Sequence, residues 1–142
     1  MAGLRLEDLS VGQSAETVHT VTEADIAAFA AVSGDTNPLH MDEAYAATTP
    51  FKGRIAHGML GASYITAILG NDLPGPGSVY LNQSLRFRRP IRIGDVVTAR
   101  VSVAAIDAEK ARVTLETLCL VDGKAAIEGE AMVMVMVARR DA

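Results

Sequence analysis

The chain has 142 residues, of which 49% are hydrophobic and 21% charged, the size and balance of one globular domain built around a single core over residues 1–142. A net charge of −4 argues against a nucleic-acid-binding protein, and a single cysteine, Cys119, excludes an internal disulfide and a metal site built on cysteines. Charges within residues 1–11 argue against a signal peptide, and the longest apolar run, 58–70, is too short to span a bilayer, so we expect a cytoplasmic protein without a membrane partner.

The first predicted element is a helix over residues 22–33. Thr22 is a favourable N-cap, and Asp25, three positions later, completes a pattern that resembles a capping box. Apolar residues then recur at helical spacing until Gly34, a residue type that favours the end of a helix.

A loop and a second helix follow. Two prolines, Pro38 and Pro50, fall within residues 35–56 and predict an irregular loop with at most one short helix, around Asp42–Ala47. Residues 58–70 predict a helix that is apolar nearly all round, and a helix of this kind is usually buried within its domain.

The second half of the chain changes to alternating, valine-rich segments, a pattern typical of β-strands. Strands are predicted at Val79–Phe87, Val96–Val103, Arg112–Val121 and Ala125–Val137, with a fifth at Ala15–Val21. Asp122-Gly123 predicts a two-residue hairpin turn between the last two segments of the chain. An α+β fold, in which an antiparallel sheet curls around a single apolar helix, satisfies this pattern.

The stretch from Phe29 to His40 carries the strongest indication of function. Asp35 and His40 are five positions apart, which is about 140° on a continuous helix. Gly34 and Pro38 break the helix between them, and a bent loop of this kind can bring a carboxylate and an imidazole to bear on one small molecule. The spacing alone leaves a second interpretation open, in which the stretch is only a turn.

A second feature lies where the predicted apolar helix begins, at His57-Gly58. The Gly58 N–H is one of the first-turn donors that have no partner within a helix, at the positive end of the helix dipole. Glycine lets a ligand carbonyl come close, and such a donor suits a developing oxyanion. The alternative is a tight turn in which His57 caps the helix.

These residues resemble the signature of the hydratase 2 family. The matching positions are Phe29, Val32-Ser33-Gly34-Asp35, Asn37-Pro38-Leu39-His40 and Ala46. With two further segments, 55–60 and 85–95, the chain over residues 10–137 resembles the MaoC-like, (R)-specific enoyl-CoA hydratases. The resemblance implies a hot-dog fold, in which a curved antiparallel sheet wraps a central helix, and a homodimer with an acyl-CoA site near the subunit interface.

The resemblance also implies which residues carry the chemistry. Asp35 and His40 become the catalytic pair, with Asn37 as a positioning residue. Gly58 becomes the oxyanion donor. Asp35 would activate a water that His40 also binds, and the water would add across the double bond of an enoyl-CoA to give an (R)-3-hydroxyacyl-CoA. We expect no metal and no cofactor beyond the coenzyme A of the substrate, because the histidines at positions 19, 40 and 57 lack a zinc-like spacing.

Other residues are candidates for contact with the substrate. Four arginines crowd one segment of an otherwise acidic chain: Arg86, Arg88, Arg89 and Arg92. Arginine suits the phosphates of coenzyme A, although a solvated strand face explains each arginine at least as well. The remaining candidates are His57, Thr66, Leu69 and Val133.

Three other functions are compatible with this sequence. A dehydratase of acyl-carrier-protein thioesters would use the same catalytic residues. Comparing turnover of CoA thioesters with turnover of carrier-protein thioesters distinguishes it from an enoyl-CoA hydratase. A hot-dog thioesterase would not need the loop that carries Asp35 and His40, and it would release a free thiol. A non-catalytic acyl-thioester-binding module, or one half of a heterodimer, would bind crotonyl-CoA without hydrating it.

Overall fold

The structure is a computed structural model that describes residues 3–136. Its helices are α1 (Glu23–Ser33), α2 (Pro38–Met41), α3 (Glu43–Ala47) and α4 (Gly58–Asn71), preceded by a 3-10 turn at Leu6–Asp8. Its strands are β1 (Ser14–Thr20), β2 (Ser78–Phe87), β3 (Val96–Asp107), β4 (Arg112–Val121) and β5 (Lys124–Val135). Both predicted long helices and all five predicted strands are confirmed. Val137, the predicted end of the last strand, lies outside the described residues.

The five strands form one sheet in the order β1-β3-β4-β5-β2, and every neighbouring pair is antiparallel. Asp122 and Gly123 have φ of 52° and 73°, the left-handed conformation that a two-residue hairpin turn takes at both positions, so the predicted turn is confirmed. Strand β3 continues past its predicted end at Val103, because a bulge between Val103 and Ala105 shifts the register without ending the pairing to β4.

Helix α4 packs against the sheet and contacts all five strands, so the sheet curves around it. Ile65, Ile68 and Leu69 of this helix are at most 2% exposed and share one core cluster with strand residues such as Val97 and Val133. Burying each such side chain contributes roughly 1.5–3 kcal/mol to folding. This arrangement confirms the predicted α+β hot-dog fold.

The prediction that α4 is buried on every side is wrong for one face of the helix. Met59, Ser63, Thr66 and Ala67 are exposed, because the sheet of a single chain covers only the opposite face. Within residues 3–136, no helix has the length and apolar character needed to cross a membrane.

The loop between α1 and α4 contains two short helices, where the sequence predicted at most one. The predicted helix around Asp42–Ala47 is present as α3, and α2 precedes it. Helix α2 begins because the Asn37 side chain accepts a hydrogen bond from the Leu39 N–H, with Pro38 in the first turn, where its missing N–H costs nothing. This helix carries His40.

Candidate active site

The segment between α1 and α2 is held by consecutive hydrogen bonds from side chains to the backbone. Gly34 ends α1 with a left-handed φ of +80°. The Ser33 hydroxyl accepts from the Asp35 N–H at 3.1 Å, and Asp35 Oδ1 accepts from the Asn37 N–H at 3.1 Å. Asn37 Oδ1 in turn accepts from the Leu39 N–H at 3.0 Å. Short polar side chains thus fix the bend that the sequence predicted.

His40 lies on α2 and is 9% exposed. Its Nδ1 lies 2.8 Å from the carbonyl oxygen of Ile55. A carbonyl can only accept, so Nδ1 carries the proton and Nε2 keeps its lone pair. The backbone carbonyl of His40 accepts from Arg54 Nε at 2.6 Å, and Arg54 pairs with Glu23 at 2.8 Å, which ties α2 to the start of α1.

His57 immediately precedes α4 and is 2% exposed. Its side chain does not cap the helix, which was the alternative that the sequence left open. Nε2 instead lies 2.9 Å from the backbone carbonyl oxygen of Asp35, to which it donates. The ring lies 4.1 Å from the ring of His40 and 4.9 Å from that of Phe29, measured between centroids.

These bonds bring Asp35, His40 and His57 together. A carboxylate oxygen of Asp35 and one nitrogen of each ring all lie within 4.8 Å of one another. Two hydrogen bonds of ordinary length span up to about 5.6 Å, so one water can contact Asp35 and His40 at once. The trio also has the donor set of a cation site, in which each histidine would offer the nitrogen that is not engaged by a backbone carbonyl.

Gly58 is the first residue of α4, and its N–H belongs to the turn that has no partners within the helix. A Cβ at this position would lie 2.6 Å from Phe87 Cε1. Phe87 therefore packs directly over the glycine, and any side chain would displace it. Both residues line the same cavity as Asp35 and His40.

That cavity has a volume of about 630 Å³ and a mostly apolar wall. Its lining residues are Phe29, Asp35, His40, Phe51, Ile55, Ala56, His57, Gly58, Met59, Phe87, Arg88, Arg89, Pro90, Ile91 and Ile127. Sequence reasoning did not single out Phe51, Phe87 or Ile127 as lining residues. Phe87 lies within the arginine-rich segment that was predicted to contact the substrate, so the same reasoning could have included it. Nothing in the sequence around Ile127 on β5 indicates that this residue lines the cavity.

The structure divides the arginine cluster. Arg88 and Arg89 line the cavity. Arg86 lies on β2, on the face opposite to that of its neighbour Phe87, and lines a separate groove that crosses β2, β4 and β5, whereas Arg88 and Arg89 follow the end of the strand. Arg92 donates to the carbonyl oxygen of Phe51 at 2.6 Å and thereby holds the wall of the cavity.

The other candidates for substrate contact lie in different places. Thr66 lines a second cavity of about 470 Å³, between the exposed face of α4 and β2, together with Met59 and Tyr80. Leu69 and Val133 are 2% and 1% exposed and belong to the core cluster.

Four ionisable groups outside the cavity have shifted pKa values, and one of them is Tyr80, whose pKa is raised by burial. Burial raises the pKa of the Tyr64 hydroxyl to about 12, and this hydroxyl has no hydrogen-bond partner among the described residues. A hydrogen bond from His19 lowers the pKa of Asp25, and the His19 ring stacks on Tyr64 at 4.5 Å. Burial also raises the pKa of the Cys119 thiol to about 12, which makes it a packing residue.

Comparison with known proteins places these residues in a family context. Residues 9–124 match the family described as MaoC like domain. The chain is 58% identical over 129 residues to an (R)-specific enoyl-CoA hydratase of Rhodospirillum rubrum. The aligned region covers 91% of this chain and 90% of the relative. It is 46% identical to a 3-hydroxybutyryl-CoA dehydratase of Methylorubrum extorquens, with coverage of 93% and 84%. Its fold matches that of an (R)-hydratase from A. caviae involved in PHA biosynthesis with a TM-score of 0.89, at 48% identity over 92% of this chain and 99% of that one.

Proposed function

This chain belongs to the family of MaoC-like domains, and from this we propose that it catalyses, in the cytoplasm, the reversible hydration of trans-2-enoyl-CoA to (R)-3-hydroxyacyl-CoA. It is a hydro-lyase. The observation that carries the proposal is the approach of Asp35 and His40 within 4.8 Å in one cavity, beside Gly58 at the start of α4. The relative at 58% identity is named for this reaction. That name supports the proposed enoyl-CoA substrate and the proposed (R) configuration of the product.

The proposed reaction begins with a water held between Asp35 and His40. The water donates one hydrogen bond to the Asp35 carboxylate and one to Nε2 of His40, the nitrogen that the Ile55 carbonyl leaves free. As the water oxygen bonds to Cβ, the pair takes one proton from it. The pair then transfers a proton to Cα, and the carbon–carbon double bond becomes a single bond. Asp35 and His40 return to their starting protonation states.

Charge builds up on the thioester oxygen as Cβ is attacked. The Gly58 N–H is placed to donate to that oxygen, at the positive end of a 14-residue helix. Removing one such donor from an oxyanion site costs roughly 10²- to 10³-fold in rate. The mostly apolar wall of the cavity offers few competing hydrogen-bond partners and so strengthens this interaction.

The reaction needs no group from outside the chain except the substrate. Acid and base are supplied by Asp35 and His40, and oxyanion stabilisation by a backbone N–H. Coenzyme A enters as part of the substrate, and we assign its phosphates to Arg88 and Arg89 at the rim of the cavity. No metal or redox step is required for the addition of water.

We also propose that the active form is a homodimer. Strand β2 is an edge of the sheet, and an edge strand offers unpaired backbone groups to a second copy. Next to this edge, Met59, Tyr80 and Leu81 are between 40% and 54% exposed, an apolar surface that a partner would cover. Light scattering coupled to size-exclusion chromatography tests this proposal, and a monomeric mass in solution would refute it.

The experiment that tests the function is turnover of crotonyl-CoA by the purified protein, followed by loss of the ultraviolet absorbance of the conjugated thioester. We expect hydration, with a product that is a substrate for an (R)-specific 3-hydroxyacyl-CoA dehydrogenase. Release of free thiol would indicate a thioesterase, and binding without turnover would indicate a non-catalytic module. Faster turnover of the carrier-protein thioester than of the CoA thioester would instead identify a dehydratase of fatty-acid synthesis.

A further inference from the structure

We propose that His57 is a positioning residue, whose Nε2–H holds the backbone of Asp35 so that its carboxylate stays within reach of the water shared with His40. This inference deepens the proposed function and rests on it. His57 touches no reacting atom in this assignment and acts through Asp35.

The hydrogen bond between His57 and Asp35 joins two distant parts of the site. The Asp35 N–H is held by the Ser33 hydroxyl at 3.1 Å, and its carbonyl oxygen by His57 Nε2 at 2.9 Å. The backbone of the catalytic aspartate is therefore anchored on both sides of its Cα. Because His57 directly precedes Gly58, the same bond fixes the distance between the carboxylate and the start of α4.

Neither nitrogen of His57 is available to a substrate. Nε2 donates to the Asp35 carbonyl, and Nδ1 is buried without a hydrogen-bond partner among the described residues. The sequence placed His57 among the candidates for substrate contact, and its ring, which is 2% exposed, lines the cavity. A polar role toward Asp35 accounts for the histidine, whereas a role in binding substrate polar groups does not.

Packing alone would favour phenylalanine over histidine at this position. The ring is 2% exposed and makes tilted contacts with the rings of Phe29 and His40, contacts that a phenylalanine ring would also make. A buried nitrogen without a partner lowers stability, and phenylalanine carries none. The feature that histidine adds is the Nε2–H donor, which points to the bond with Asp35 as its purpose.

Two variants separate the donor from the ring. His57→Phe keeps an aromatic ring between Phe29 and His40 but removes the hydrogen bond to Asp35. His57→Gln places an amide N–H near the position of Nε2 but loses the ring contacts with Phe29 and His40. A shift of about 1 Å in a catalytic group costs about 100-fold in rate. We therefore expect kcat for crotonyl-CoA to fall about 10- to 100-fold in His57→Phe with little change in KM, and to be partly rescued in His57→Gln.

By thermal stability we expect the two variants to rank in the opposite order, with His57→Phe above His57→Gln. Activity and stability can therefore be told apart. A positioning role predicts that kcat follows the donor, so the glutamine variant is the faster of the two although it melts at the lower temperature. A merely structural role predicts that activity follows stability, with the phenylalanine variant faster, and this order would overturn the proposal. If the glutamine variant does not fold, a kcat of His57→Phe within threefold of wild type would overturn it equally.

His19→Phe is the matched control. His19 also contacts an aromatic ring, that of Tyr64, and also bonds an oxygen, Asp25 Oδ2 at 3.0 Å, but it lies outside the cavity. This variant is expected to keep the kcat of the wild-type protein. A wild-type protein that does not hydrate crotonyl-CoA would refute the proposed function, whereas an active wild type with an equally active His57→Phe refutes only the positioning role.

Discussion

The rings of His40 and His57 lie against each other at a tilt of 33°, with their centroids 4.1 Å apart, and they donate hydrogen bonds from different ring nitrogens. His40 donates from Nδ1 to the Ile55 carbonyl, and His57 donates from Nε2 to the Asp35 carbonyl. Each backbone carbonyl thereby selects one tautomer of the ring beside it. The consequence for chemistry is that the neutral His40 ring has its lone pair on Nε2, whereas the lone pair of His57 is on Nδ1, which is buried without a partner among the described residues.

The opposite tautomers are open to direct observation. In long-range proton–nitrogen correlation spectra at alkaline pH, we expect His40 to show a protonated Nδ1 and His57 a protonated Nε2. The single variants His40→Gln and His57→Phe assign the two rings by loss of signals. Two rings with the same tautomer, or a protonated Nε2 on His40, would contradict the geometry on which the proposed base depends.

Two glycines of α4 provide a second test. Gly58→Ala places a methyl group 2.6 Å from Phe87, so we expect a loss of stability of about 1–3 kcal/mol and loss of most activity as the oxyanion donor shifts. Gly70→Ala adds the same methyl group where nothing lies within 4 Å. It should stabilise the helix by up to about 1 kcal/mol and leave kcat unchanged. Thermal denaturation and turnover of both variants check this pair, and a fully active Gly58→Ala would contradict the expectation that the methyl group displaces the N–H donor.

Arg89 tests the assignment of the coenzyme A phosphates. Arg88 is paired with Glu128 at 3.2 Å, so Arg89 is the better probe of the cavity rim. Arg89→Ala should raise KM for crotonyl-CoA about tenfold with little effect on kcat, because it removes a charge-assisted hydrogen bond.

Two controls accompany the Arg89 variant. Crotonyl-N-acetylcysteamine has no phosphates, so its KM should be the same in the wild type and in Arg89→Ala. Arg86→Ala removes an arginine from the separate groove and should leave KM for crotonyl-CoA unchanged. An equal increase in KM for both thioesters would mean that Arg89 shapes the cavity and does not bind phosphate.

Helices, strands and the Asp35–His40 pair were predictable from sequence because each leaves a local pattern: caps, alternation, turn residues and the broken helix between the pair. The bonds that arrange the site are not local. Ile55 contacts His40 from 15 residues away and His57 contacts Asp35 from 22 residues away, through backbone carbonyls that every residue type possesses. The division of the arginine cluster depended on strand alternation and on the end of β2 at Phe87, which the sequence fixes only within a residue or two.

Tyr64 and Tyr80 test the cost of an unpaired hydroxyl. The Tyr64 hydroxyl is buried without a partner among the described residues, so Tyr64→Phe should leave stability unchanged or raise it by up to about 1 kcal/mol. The Tyr80 hydroxyl donates to Gln83, and Tyr80→Phe should lower stability by about 0.5–1.5 kcal/mol. Chemical denaturation at neutral pH measures both, and a destabilised Tyr64→Phe would show that this hydroxyl has a partner.

Tyr64 also makes the stability of the folded protein depend on pH in the alkaline range. Its pKa is about 12 in the folded protein and near 10 in the unfolded chain, so between these values the unfolded chain binds fewer protons and stability falls as pH rises. Tyr64→Phe should remove this part of the fall between pH 10 and 12.

In the proposed mechanism, Asp35 and His40 act on one water. The most direct measurement is crotonyl-CoA hydration by Asp35→Asn, because asparagine can still accept the Asn37 N–H and so keeps the bend of the loop. Asp42→Asn is its control, since Asp42 caps α3 in the same way through the Tyr45 N–H but does not line the cavity. We predict that Asp35→Asn stays folded, binds crotonyl-CoA and loses about 10²- to 10⁴-fold in kcat, while Asp42→Asn keeps it. Near wild-type turnover by folded Asp35→Asn would contradict the proposed role of Asp35.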